Sequence, residues 1–67
     1  MDNKNDTGHP DSDLINIHQD HEVRYWSKKW DITHEELKAA HQKAQPSELV
    51  RKVHAAAVAL GYKPNPL

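Results

Sequence analysis

Histidine is the residue type best suited to chemistry in this chain, which has six of them among 67 residues. His18 and His21 flank Asp20, and His34 and His41 lie two helical turns apart. A neutral imidazole ligates metals and carries protons near neutral pH. A zinc site, however, closes with four ligands at recognisable spacings, commonly with Cys or an HExxH-type pair among them. The chain has no Cys and no such pair, so the pattern predicts no metal and no cofactor. His41 alone is expected to turn inward, as a hydrogen-bonded structural histidine. Nucleophilic catalysis finds no support either. Ser12, Ser27 and Ser47 have no triad-like context, and Gly8 and Gly61 make no phosphate loop. A chain this short also struggles to enclose a cleft of ~300 Å³ or more. It is expected not to be an enzyme.

A second kind of chemistry lies in "EVRYWSKKWDITHEEL", residues 22–37, where Tyr25, Trp26 and Trp30 stand among Arg24, Lys28 and Lys29. Basic residues interleaved with aromatics suit either an anionic partner or a protein interface. The net charge of −1 conceals a split. Residues 1–20 hold one Lys against five Asp, giving −4, and residues 21–67 hold eight Lys or Arg against five acids, giving +3.

These residues need elements to position them. Residues 1–13 are polar and acidic after Met1 and cannot offset the entropy of ordering, so a disordered tail is expected. Leu14, Ile15 and Ile17 form a short apolar arm that should pack on a single domain over 14–67. Asp20 suits the cap of a first helix over about 20–30. Val23, Trp26 and Trp30 share one face of it, with His21, Arg24, Tyr25 and Lys28 opposite. Thr33 with Glu36 forms a capping box, and Ile32 with Leu37 a hydrophobic staple, so a second helix should run to about residue 44. It turns Leu37, Ala40, His41 and Ala44 inward.

Pro46 suits the first turn of a third helix, about 46–60, with Gly61 just past its end and Pro64 barring continuation. Its apolar stripe is Leu49, Val50, Val53, Ala56, Ala57 and Leu60. Ala55, Val58 and Ala59 carry apolar character beyond that stripe, which implies a second covered surface. The segment after Gly61, or another subunit, would supply the cover. The expected fold is all-α: three helices around Val23, Trp26, Trp30, Leu37, Val53 and Leu60, with a helix-turn-helix-like first pair.

The stretch from Ile15 to Ala40, "INIHQDHEVRYWSKKWDITHEELKAA", resembles the small bacterial family DUF3606, a domain of unknown function. The resemblance is carried by Ile15-Asn16, Glu22 through Trp26, Lys28-Lys29, and Thr33 through Leu37. It implies no catalytic or binding residue. Family members commonly have Gly where this chain has Asp31, and again near Gln45.

Two function classes follow. In a helix-turn-helix the second helix offers its first residues to bases and phosphates, but here that end carries Glu35 and Glu36, which repel phosphate. Lys28, Lys29 and Lys38 would make the backbone contacts. The charge therefore favours a non-catalytic protein-interaction module, with DNA binding as the alternative. The candidate surface is Arg24, Tyr25, Lys28, Ala55, Val58 and Ala59, and the partner another protein or a second copy. No apolar run approaches the ~20 residues that span a bilayer, and the acidic start is unlike a secretory signal, so a cytoplasmic protein with no membrane contact is expected.

Overall fold

The computed structural model describes residues 14–67, so the acidic tail at 1–13 lies outside the described residues. Three helices follow one another: α1 (Asp20–Trp30), α2 (His34–Ala44) and α3 (Val50–Ala59). The fold is all-α. An isolated antiparallel bridge joins Leu14 to Leu49. The core comprises Ile15, Val23, Trp26, Trp30, Ile32, Leu37, Ala40, Val50, Val53, Ala56 and Ala57, with Ile17, Ala44 and Tyr62 packed at its edge. Helix α2 packs against both other helices, whereas the backbones of α1 and α3 do not approach each other. The Trp30 ring spans that gap, meeting Trp26 at 5.2 Å and His54 of α3 at 5.1 Å between centroids.

Helix ends are set by local chemistry. Thr33 Oγ1 accepts from the Glu36 N–H (3.0 Å), and Glu36 Oε1 accepts from the Thr33 N–H (2.9 Å), completing the capping box. Ile32 and Leu37 on either side of it are both buried. Helix α1 ends with Asp31 in the left-handed region at φ 58. The Ile32 N–H returns to the Ser27 carbonyl (3.0 Å) and that of Asp31 to Lys28 (3.3 Å), the paired bonds of a Schellman turn. Helix α3 ends the same way. Gly61 sits at φ 88, Tyr62 N–H donates to Ala57 and Gly61 N–H to Val58. A Cβ at Gly61 would meet nothing within 4 Å, so the demand for glycine there is conformational.

Three expectations need correction. The third helix starts at Val50, not Pro46. Residues 48 and 49 are engaged by the apolar arm: Ile15 N–H donates to the Glu48 carbonyl (2.9 Å) and Leu49 bridges Leu14. Extended backbone at Leu49 (ψ 137) cannot also be helical, and Pro46 sits in the turn before it, after a cis peptide bond. Asp20 is the first residue of α1 rather than its cap. Gln19 precedes the helix without a side-chain capping bond. Leu60 is not core but 41% exposed, because the helix closes at Ala59 and Tyr62 packs against the core beyond it.

The arm itself packs as expected through Ile15, which is fully buried, while Leu14 stays 60% exposed. Asn16 Oδ1 accepts from the His18 N–H (3.0 Å), an Asx-turn that leads the chain into α1.

Trp26 and Trp30 differ in how their indole N–H groups fare. Trp26 Nε1 donates to Glu22 Oε1 one turn earlier (3.2 Å). Trp30 Nε1 is buried with no partner among the described residues, as is Ser27 Oγ. An unpaired buried donor costs about 1–3 kcal/mol, whereas burying an indole at ~25 cal/mol per Å² over ~150–250 Å² contributes about 4–6 kcal/mol. The ring is worth burying despite its orphan N–H.

Trp30→Ala should therefore abolish the cooperative thermal transition: losing a core aromatic costs about 3–5 kcal/mol, and a chain of this size holds only about 3–10 kcal/mol in all. A cooperative melt within a few degrees of wild type would refute the core assignment. At Asp31 the backbone sets a second ordering. Asp31→Gly should raise the melting temperature by several degrees, since relief of a left-handed residue (about 1–2 kcal/mol) exceeds the entropic cost of Gly (about 0.5–1 kcal/mol). Asp31→Val should lower it. Calorimetry that ranks Val at or above Asp would contradict the left-handed geometry.

Candidate functional site

The six candidate surface residues are all exposed, but they do not form one surface. Arg24, Tyr25 and Lys28 lie on the outer side of α1, with His21 and Lys29 beside them. Ala55, Val58 and Ala59 lie on the outer side of α3, behind Arg51 and Lys52 at that helix's start. Because the backbones of α1 and α3 do not approach, these are two separate patches.

The α1 patch is basic and aromatic. It exists because Val23, Trp26, Ser27 and Trp30 take the opposite face into the core. Tyr25 stays 40% exposed, with its ring edge-to-face on Trp26 at 4.9 Å. The α3 patch is apolar toward its C-terminal end and basic at its start. Val58 is 54% exposed, while Val50, Val53, Ala56 and Ala57 fill the core from the other side of the same helix. The segment after Gly61 does not cover it. That segment turns instead to α1, where Asn65 bonds the carbonyls of Lys29 and Trp30.

Charges on these surfaces are largely uncompensated. Among the described residues, no Lys or Arg lies within ion-pair distance of a carboxylate. Three of the acids are engaged elsewhere. Glu22 Oε1 takes the Trp26 indole N–H and approaches the Asn16 N–H at 3.5 Å. Glu36 completes the capping box. Glu48 Oε2 stands 3.6 Å from His41 Nε2.

His41 is buried, as its place on the inward face requires. Gln45 Nε2 lies 3.1 Å from its Nδ1. With the amide donating there, the ring proton sits on Nε2, turned toward Glu48. The histidine thus ties the end of α2 to the turn before α3, which is a structural task. His18, His21 and His34 are exposed, and no group of three or more metal-ligating side chains comes together among the described residues.

Sequence reasoning passed over Asn65. Its bonds run to residues 11 and more positions away, and no local spacing signals such a contact. Arg51 and Lys52 were likewise passed over, although their place on the exposed arc shared with Ala55 and Val58 follows from helical periodicity.

No helix among the described residues is long and apolar enough to cross a membrane. No curated protein and no solved structure matches the chain. The profile of one family, described as a protein of unknown function (DUF3606), matches residues 3–59. That span takes in the Ile15-Asn16 start, all of α1 and α2, and α3 to its last residue, so the chain belongs to the DUF3606 family.

Proposed function

We propose that the protein is a non-catalytic interaction module whose main contact is the outer face of α3. One observation carries this reading: Val58 stands 54% exposed between exposed Ala55 and Ala59, on a helix whose other face is core. Small side chains let a second backbone approach closely, and an exposed valine gains from being covered. Arg51 and Lys52 lie on the same arc one and two turns earlier, and α3 has no acidic residue in its first turn. The partner that fits is a protein surface with an apolar centre and acidic groups at one edge. Tyr25, Arg24 and Lys28 form a second, basic-aromatic contact of a kind favoured at interfaces.

A duplex-DNA reading draws on the same exposed cations. It is opposed by exposed Glu35 at the first turn of α2 and by Glu36, whose carboxylate is committed to the cap at that same end. Phosphate would meet negative charge where a recognition helix needs donors.

Val58→Glu tests the first reading. The circular-dichroism helix signal and melting temperature should stay near wild type, while self-association by light scattering, or capture of the protein partner retained by wild type, is lost. Loss of helix would mean that Val58 is core and would sink the proposal. Titration with duplex DNA separates the second reading. Negligible binding is expected near physiological salt. Tight binding that weakens steeply with added salt, the mark of counterion release, would reverse the ranking.

A further inference from the structure

The last residues of the chain run back over the end of α1, and a single residue clamps them there. The Asn65 N–H donates to the Trp30 carbonyl (3.0 Å), and its Nδ2 donates to the Lys29 carbonyl (3.2 Å). Its own carbonyl accepts from His54 Nε2 (2.7 Å). The two carbonyls are among those that a helix end leaves without intrahelical partners. The His54 ring is in turn fixed edge-to-face on Trp30. The seat is thus two acceptors and one donor in a rigid arrangement, and an Asn in an extended chain satisfies all three. Pro64 and Pro66 bracket Asn65. Each holds φ near that of an extended chain and brings no N–H that would need a partner.

The strap is lightly held on its inner side. Lys63 sits in the left-handed region at φ 57, a costly conformation for a residue with a Cβ. Between Tyr62 and Asn65, no hydrogen bond of Lys63 or Pro64 fastens the segment to the helices. A clamp one residue wide opens locally before a domain unfolds globally. The family match at residues 3–59 includes Lys29, Trp30 and His54 but stops short of the strap.

We infer that the seat formed by Lys29, Trp30 and His54 is a receptor for an extended peptide carrying an Asn between two prolines. Residues 63–66 of the chain fill it in cis and mask it. A peptide of the same chemistry, supplied by a partner, takes the seat when the strap opens. The tethered segment competes at an effective concentration in the millimolar range, so an external peptide binds well only when the strap is weakened.

The test uses the full chain, with a peptide of sequence KPNPL blocked at both ends. Asn65→Pro removes both Asn65 donors and leaves the seat intact. At millimolar peptide, the nuclear magnetic resonance signals of Trp30 and His54 should shift in Asn65→Pro and shift less in wild type, where the strap competes for the seat. A control peptide with Pro in place of Asn, which lacks both donors, should shift neither. No shift in Asn65→Pro, or equal shifts with the control, overturns the proposal. So does loss of a cooperative melt in Asn65→Pro, because the seat would then not open apart from the fold. In wild type, the Asn65 amide should exchange its hydrogen more slowly than in the free peptide and faster than the core amides of α2. Exchange at the free-peptide rate would mean no clamp, and exchange at the core rate would mean no separate opening. Either result overturns the inference.

Discussion

Trp30 holds together parts of the chain that otherwise have little reason to meet. The helices α1 and α3 are kept apart by α2, and the Trp30 ring reaches from one to the other through His54. Its backbone closes α1, with Asp31 immediately beyond in a left-handed turn, and its carbonyl receives the returning C-terminal segment. One residue therefore fixes a helix end, a helix-to-helix distance and the path of the last residues. Its buried indole N–H has no partner among the described residues. Its ring stands 5.2 Å from Trp26 on one side and 5.1 Å from His54 on the other, between centroids.

Many of the residues that carry the resemblance to the family are ones the fold consumes. Ile15 plugs the core from the arm, and Asn16 makes the turn into α1. Glu22 serves the Trp26 indole, Trp26 is core, and Thr33 with Glu36 caps α2. The exposed residues of the signature are Asn16, Arg24, Tyr25, Lys28, Lys29, Thr33, His34 and Glu35, of which Asn16 and Thr33 serve the turn and the cap. Belonging to the family thus goes with how the chain folds, and these side chains are what the fold leaves on the surface.

What the sequence made legible was what adjacent residues decide. The capping box and staple placed the start of α2, Gly61 placed the end of α3, and apolar spacing put Trp26 and Trp30 inside. The failures have one physical cause, a distant segment overriding a local preference. Pro46 is a good first-turn residue in isolation, but the arm from residues 14 and 15 pairs with 48 and 49 and holds them extended. Leu60 continues the apolar stripe by spacing, but the left-handed Gly61 redirects the chain so that Tyr62 packs on the core. The candidate surface shows the same limit: periodicity gave each helix its outer face, yet nothing local told that the faces of α1 and α3 stand apart.

The charge ledger shows why composition was a weak guide to the surface. A net charge of −1 suggests a near-neutral exterior with acids and bases intermixed. The folded part departs from that picture because Glu22, Glu36 and Glu48 face an indole N–H, a backbone N–H and an imidazole rather than cations. Each is engaged for a structural reason, and among the described residues no Lys or Arg of α1 and α3 lies within ion-pair distance of a carboxylate. Exposed ion pairs contribute little stability, about 0–1 kcal/mol, so little is lost by leaving these cations unpaired. On α3 the positive charge lies beside exposed apolar residues and on α1 beside an exposed tyrosine, the combination on which the proposed protein contact rests.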